Sequence, residues 1–180
     1  INPRFIHLPF QVALNQDYPG NSFNISTMME EWENQSGYPL LNVIKASDDE
    51  IIVVQERFSN DSASINPWWI PINYATALDP DFTKTTADFW LEGSWATIIR
   101  NTTAIRKWNA GDWFILNTQS NFYYRVNYDD SLWTAIVNQL NAPGVGYSQI
   151  HNRNRAQLIS DSFYLAQADI ISYKIPFSIM

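Results

Sequence analysis

The sequence contains no cysteine in 180 residues. Disulfide bonds, thiolate nucleophiles and cysteine-ligated metals are therefore excluded, and cysteine usage indicates nothing about the redox compartment. Histidine is almost as scarce, since His7 and His151 are the only two and neither lies in an H-E-x-x-H motif or another zinc-ligand spacing. The residues alone therefore predict no catalytic residue, no metal ligand and no cofactor in this segment.

Charge is also sparse, because Asp, Glu, Lys and Arg make up 16% of the chain against ~25% in an average soluble domain. The net charge is −7, and the basic clusters at 100–107 and 153–155 are small. A nucleic-acid partner is therefore excluded, since phosphate binding needs clustered Lys and Arg. No apolar run approaches the ~20 residues that span a bilayer, so no direct membrane insertion by this segment is expected.

Four N-x-S/T sequons are present, at Asn24, Asn34, Asn60 and Asn101. A single sequon is a weak signal, but four in one chain of this length indicate passage through the secretory pathway. They predict glycosylation at all four positions and an extracellular, cell-surface or lumenal location. Glycans would also supply the polar covering that the sparse charge does not.

Residues 121–140 organise the chain, because their periodicity changes from strand to helix. From 122 to 128 the even-numbered side chains are apolar or aromatic, which is the period of a half-buried strand. From Trp133 to Leu140 apolar residues recur at helical spacing, and an Asp or Ser at 129–131 can cap the first turn. Alternation places Tyr124 on the buried face and Arg125 on the opposite one, where we expect it to meet backbone carbonyls or a carboxylate.

Between residues 40 and 128, seven short segments have strand character and are separated by polar turns. They are 40–44, 51–58, 68–74, 88–91, 95–100, 112–116 and 122–128. Helical patterns flank them: residues 5–12 have a helical apolar spacing, and Thr27 and Glu30 stand in capping-box spacing before a stop at Gly37. Toward the end, Asn152 or Asn154 can cap a helix with an apolar stripe at 159, 163, 166 and 170.

These patterns predict a mainly β fold with α elements. The expected architecture is an antiparallel β-sandwich, flanked by a short N-terminal helical segment and a C-terminal α-helical hairpin or array. Tryptophan in the strands allows two interpretations, a sugar-stacking platform or core packing. The residues concerned are Trp68, Trp69, Trp90, Trp95, Trp108 and Trp113.

Three passages resemble the zinc aminopeptidases of the aminopeptidase N type. Residues 29–39 match the pattern M-x-x-W-x-x-Q-x-G-Y-P at every specified position. FYYRVNYDDSLW at 122–133 is similar to G-Y-Y-R-V-N-Y-D followed by W, with Phe122 where glycine is usual. NRAQLISDSFYLAQADIISY at 154–173 resembles a third family passage, and the likeness covers essentially the whole chain.

The resemblance implies three segments of a longer parent enzyme, and the texture of the sequence suggests an insect gut member. Residues 1–36 would be the tail of the catalytic domain, 37–127 the β-sandwich domain, and 128–180 the start of the C-terminal helical domain. Zinc and the catalytic residues of the parent would lie outside this segment. The matched motif residues are assigned structural roles here, namely Tyr38, Pro39, Tyr124, Arg125, Asn127, Tyr128 and Arg155.

Two functions are therefore considered. The first is a non-catalytic accessory region, a spacer between the catalytic and helical domains of an aminopeptidase, with the remaining parent domains as partners. The alternative is an extracellular binding module for a glycan or a protein, for example a bacterial Cry toxin, since gut members of the family are membrane-anchored toxin receptors. The apolar stretch 172–180 also favours a piece of a longer protein whose other domains cover Ile159, Phe163, Ile170 and Phe177.

Overall fold

The structure is a computed structural model that describes residues 4–20, 22–58, 66–93, 95–100 and 107–180, with the backbone alone for 4–6. Two helices open the chain, α1 (Arg4–Asp17) and α2 (Ile25–Asn34). The predicted capping box at Thr27 and Glu30 is wrong. Asn24 caps α2 instead, its Oδ1 accepting from the backbone N–H of Thr27 at 3.1 Å. Asn and Thr are both good capping residues, so sequence chemistry alone did not separate them.

Within the described ranges eight strands follow, and they form two layers around one core. The strands are β1 (Pro39–Lys45), β2 (Glu50–Arg57), β3 (Trp69–Ile72), β4 (Tyr74–Thr76), β5 (Phe89–Glu92), β6 (Ala96–Arg100), β7 (Phe114–Leu116) and β8 (Arg125–Tyr128). One layer is a four-stranded sheet in the order β6-β2-β1-β8, and the other comprises the pairs β3–β5 and β4–β7. The predicted strand at 68–74 is two strands, divided at Asn73.

Among the strands that the structure describes, all pairs are antiparallel except one, since β8 runs parallel to β1 with Leu41 opposite Val126. The sandwich prediction is confirmed, with this one parallel pair as the difference. Parallel neighbours need a long connection, and here β2 to β7 lie between the two strands.

The core lies between the layers and is large and aromatic. It joins side chains of β1 and β2 to those of β3, β4 and β7. Gln55 crosses between the layers, because its amide donates to the carbonyl of Trp68 at 3.0 Å and accepts from the N–H of Trp68 at 2.9 Å. A buried amide satisfied at both ends fixes the register of the layers without an unpaired polar group.

Three helices follow the sandwich, α3 (Asp130–Leu140), α4 (Asn152–Gln167) and α5 (Lys174–Ile179). Helix α3 begins at the predicted junction, where Asp129 accepts from the N–H of Leu132 at 2.9 Å. Its second carboxylate oxygen accepts from the N–H of Lys45 at the end of β1, at 2.6 Å. One cap therefore ties the helix to the sheet. In the described ranges, no helix combines the length and apolar character needed to cross a bilayer.

Helix α4 differs from its prediction in two ways. Its cap is His151 rather than Asn152 or Asn154. Of the predicted apolar stripe, Ala166 is buried, but Ile170 is 44% exposed and Ile159 and Phe163 are only half-buried. The buried positions are instead a mixture of polar and aliphatic residues: Asn154, Gln157, Leu158, Asp161, Ser162, Leu165 and Ala166.

Candidate functional site at the strand–helix junction

The candidate site is the junction at which strand β8 meets helix α4. Along β8 the side chains alternate between the two faces, with Val126 and Tyr128 buried and Arg125 and Asn127 half-buried. The inner face joins the sandwich core, and the outer face meets the helices. Alternation along one strand therefore presents Arg125 to α4.

Arg125 lies at the centre of the junction and contacts two other segments of the chain. Its Nη1 donates to Oδ1 of Asp161 on α4 at 2.7 Å, and its Nε donates to the hydroxyl of Tyr38, just before β1, at 3.1 Å. The guanidinium also lies over the ring of Tyr164 at 3.7 Å. A planar cation between a carboxylate and aromatic faces is the arrangement that arginine suits best.

Asp161 is 4% exposed, so its charge must be compensated within the protein. Besides Arg125, it accepts from the backbone N–H of Val126 at 3.2 Å and lies 3.5 Å from the amide of Gln157. Burial raises the pKa of its carboxyl to about 6, although these donors act in the opposite direction. For Arg125, burial lowers the pKa, but the hydrogen bonds to Tyr38 and Asp161 outweigh it and the pKa is raised overall. The pair is charged at neutral pH.

A second polar network joins α4 to the turn that precedes β8. The buried amide of Asn154 donates to the carbonyl of Asn117 at 2.8 Å, and its oxygen accepts from the N–H of Gln119 at 2.7 Å. Asn117 and Gln119 both have positive φ, 64° and 56°. Side-chain hydrogen bonds of this kind hold a turn in a conformation that non-glycine residues rarely adopt.

A cleft of about 700 Å³ lies over this junction. Its wall includes Tyr38, Tyr124, Arg125 and Asp161, together with the exposed Arg153. Tyr124 is buried, and its hydroxyl has no hydrogen-bond partner in the part of the chain that the structure describes. Burial raises the pKa of this phenol well above its ordinary value, so it stays neutral. The junction can therefore hold two segments together, but it offers no general base positioned on a nucleophile.

Comparison with known proteins identifies a family to which this part of the chain is similar. Residues 113–180 match the family described as ERAP1-like C-terminal domain. Over 161 residues, 87% of the chain, the sequence is 34% identical to an aminopeptidase N of Plutella xylostella. It is 33% identical to a membrane alanyl aminopeptidase of Heliothis virescens over 89% of the chain, and 33% identical to an aminopeptidase N of Rattus norvegicus over 86%.

The chain belongs to the aminopeptidase N family. It spans only about one sixth of the length of these relatives, 16%, 16% and 15% respectively. The domain boundaries assigned from the resemblance stay a prediction, and the matched family region begins at residue 113, within the expected sandwich.

The structure brings most of the aminopeptidase N motif residues together around the two sides of β8. Asn127 donates to Oδ1 of Asn42 at 3.0 Å and accepts from the indole N–H of Trp133 at 3.1 Å. The hydroxyl of Tyr128 accepts from the N–H of Leu116 across the core at 3.2 Å. Pro39 is buried as the first residue of β1. Each of these hydrogen bonds therefore joins β8 to a different neighbour, and the structural roles assigned to the motif residues stay a prediction.

Arg155 lies apart from this cluster. Its guanidinium lies over the ring of Tyr147 at 4.9 Å and reaches the Tyr147 carbonyl at 3.5 Å. It therefore supports the loop between α3 and α4 rather than the junction.

The family implies a zinc ion for the parent enzyme, and the donors described here do not fit one. Within the described ranges, no three His, Cys, Asp or Glu side chains lie close enough together to hold a metal ion. His7 and His151 lie in different surroundings, His7 beside Glu33 at 2.7 Å and His151 stacked on Phe82 at 6.3 Å. No reaction step through zinc is derived from this chain.

The tryptophans divide into core and surface groups. Trp68, Trp108 and Trp113 are buried in the core and present no face to a ligand. Trp95 is 48% exposed, while Trp69 and Trp90 line an apolar groove of about 430 Å³ beside α2. A platform of all six is therefore not formed. The binding-module alternative stays a prediction.

Two of the predicted glycosylation sites fall in the described part of the chain. Asn24 and Asn34 are exposed at opposite ends of α2. Asn60 and Asn101 lie outside the described residues.

Sequence reasoning missed the polar face of α4. Asn154, Gln157 and Asp161 recur at intervals of three and four, so they form one stripe on a helix. That stripe was a usable signal, because polar residues at helical spacing beside Leu158 and Leu165 indicate a face directed at a buried polar partner. The apolar stripe instead predicts a different face, of which only Ala166 is buried.

Proposed function

We propose that this chain is a non-catalytic accessory region of a zinc-dependent aminopeptidase that removes N-terminal residues from peptides. It acts as the structural spacer between the catalytic domain and the helical domain of that enzyme. The observation that carries the proposal is the buried Arg125–Asp161 pair at 2.7 Å. It fastens helix α4 to strand β8 of the sandwich.

Two further observations support a spacer role. The hydroxyl of Tyr38, just after the N-terminal helices, accepts from the same guanidinium at 3.1 Å, so Arg125 joins the start of the expected sandwich to helix α4 of the expected helical segment. Asp129 makes a second connection, because its carboxylate accepts hydrogen bonds both from the end of β1 and from the first turn of α3. Burial of the junction in low-dielectric surroundings strengthens each of these hydrogen bonds. A connection of this kind transmits orientation between its flanking domains instead of acting as a flexible linker.

The same proposal places the protein at the cell surface or in the secretory pathway. It is supported by the four sequons and by the relatives named membrane alanyl aminopeptidase in Heliothis virescens and Manduca sexta. The proposed partners are the remaining domains of the parent enzyme. Zinc belongs to those domains in this proposal.

The test is metal analysis and an activity assay on the purified chain, with a full-length aminopeptidase N as the positive control. We expect less than stoichiometric zinc after dialysis and no hydrolysis of an alanyl-anilide substrate at concentrations at which the control is active. One tightly held zinc ion per chain, together with hydrolysis that copurifies with the chain, would overturn the proposal.

A further inference from the structure

A cavity of about 490 Å³ lies between helix α1 and the start of helix α2. Its lining is mixed, because polar groups of Asn15, Ser22 and Ser26 alternate with the apolar side chains of Leu8 and Phe23. Leu8 is 64% exposed, although it faces this cavity. Surfaces that combine apolar faces with several hydroxyl and amide groups suit a sugar ring better than a purely apolar ligand.

Asn24 lines the same cavity and is the first residue of a sequon, Asn24-Ile25-Ser26. Its side chain is exposed, and only one of its two polar atoms is in use. Oδ1 accepts from the N–H of Thr27 as the cap of α2, whereas Nδ2 donates to no described residue. The nitrogen that glycosylation modifies is therefore available without loss of the helix cap.

We propose that Asn24 carries an N-linked glycan whose first N-acetylglucosamine lies in the α1–α2 cavity. The inference rests on the secretory location in the proposed function. In the modification, Nδ2 attacks C1 of a sugar held by a lipid diphosphate. A C–N bond forms, the C–O bond to the diphosphate breaks, and Nδ2 loses one proton.

The bound sugar would add to the hydrogen bonds that already join α1 to α2. His7 is hydrogen-bonded to Ser26 at 3.3 Å and to Glu33 at 2.7 Å. Gln11 accepts from the N–H of Ile25 at 2.7 Å. A sugar ring against Leu8 and the α1 side of the cavity would cover apolar surface that is otherwise exposed. Helix α1 would then open less often toward solvent.

Asn34 provides the matched comparison. It is also the first residue of a sequon and is exposed, but it ends α2, ten residues from the start of that helix. At 1.5 Å per residue the two sites are roughly 15 Å apart along the helix axis. A glycan on Asn34 would therefore not reach the cavity with its first sugar.

The experiment uses the full chain secreted from eukaryotic cells, with glycopeptide mass spectrometry for occupancy and hydrogen exchange for α1. Asn24→Asp removes the acceptor nitrogen and keeps a capping oxygen, and Asn34→Asp is its control. We expect a glycan on Asn24. We also expect several-fold faster exchange in α1 for Asn24→Asp, and unchanged exchange in α1 for Asn34→Asp.

Two results would overturn the inference. One is a chain in which Asn24 is bare, whether or not Asn34 carries a glycan. The other is an occupied Asn24 whose removal leaves exchange in α1 unchanged, which would place the sugar outside the cavity. Neither result affects the zinc and hydrolysis assays, so this inference and the proposed accessory function fail separately.

Discussion

The guanidinium of Arg125 and the carboxylate of Asp161 meet at 2.7 Å where strand β8 passes under helix α4. Their side chains are 18% and 6% exposed, so the pair is largely removed from water. Buried pairs stabilise little in total, because desolvation opposes the attraction, but the loss of one partner is strongly destabilising. The main role of the pair is therefore to fix the position of helix α4 on the sheet, because only one position lets the two side chains meet.

Because burial raises the pKa of Asp161, the free energy of unfolding should depend on pH in a predictable way. Its pKa in the fold is about 6, above its ordinary value of 3.8, so the folded state binds the proton more readily than the unfolded state. Its contribution to the free energy of unfolding is then fully present below pH ~4 and is lost as the pH rises through about 6. Asp161→Asn cannot titrate. The difference in unfolding free energy, wild type minus variant, should therefore increase by about 2–3 kcal/mol from pH 7.5 to pH 4.

Urea denaturation of both proteins across that range measures this difference, and the other carboxylates cancel in it. If the wild-type minus Asp161→Asn difference decreased toward acid pH, the effect of Arg125 on the pKa of Asp161 would outweigh that of burial, which would contradict the raised pKa.

Asn154 should contribute more to the free energy of unfolding than its neighbours on the first turn of α4. Its amide makes three hydrogen bonds, to Asn117, Gln119 and Gln157, at 2.7–2.9 Å. Asn154→Ala leaves buried groups without partners, which we expect to cost about 2–3 kcal/mol of unfolding free energy. The exposed Asn152 is the control, and Asn152→Ala should change stability by less than ~0.5 kcal/mol. Equal effects of the two substitutions in thermal or urea unfolding would rule out the network as described.

Gly37 should resist substitution more than Gly144, although both have positive φ, 90° and 69°. Alanine is strained at either position by about 1 kcal/mol. At Gly37 a Cβ would also lie 2.8 Å from Nε of Arg57, whereas at Gly144 it would meet nothing within 4 Å. Arg57 is held by its bond to Ser36 at 2.6 Å and cannot yield without loss. Gly37→Ala should therefore lower the melting temperature further than Gly144→Ala, and the reverse order would contradict this reading of the turn.

Local chemistry accounts for the elements that the sequence predicts correctly. The alternation that ends at Val126 and Tyr128 follows from the two-residue period of a strand, and the start of α3 follows from the capping oxygen of Asp129. Neither depends on distant parts of the chain. The family motifs supplied the expectation that these residues are structural.

What the sequence left open depends on long-range partners. Period two is the same in parallel and antiparallel strands, so the parallel pairing of β8 with β1 could not be deduced from residues 122–128. Burial of Asp161 is decided by the position of Arg125, 36 residues earlier in the sequence. A carboxylate on a helix is exposed by default, and only the folded structure shows that this one faces a buried cation.

We propose that this chain fixes the helices on the sandwich through Arg125 and Asp161. The test is a double-mutant cycle at pH 7.5, in which the unfolding free energies of Arg125→Ala, Asp161→Ala and the double variant are measured. We expect Arg125→Ala to cost about 3–5 kcal/mol, with a coupling energy above ~1 kcal/mol between the two sites. Arg153→Ala, a change to an exposed arginine of the same cleft, should have little effect. Single effects that add to within ~0.5 kcal/mol would show that the two residues do not act together, which would overturn the proposal.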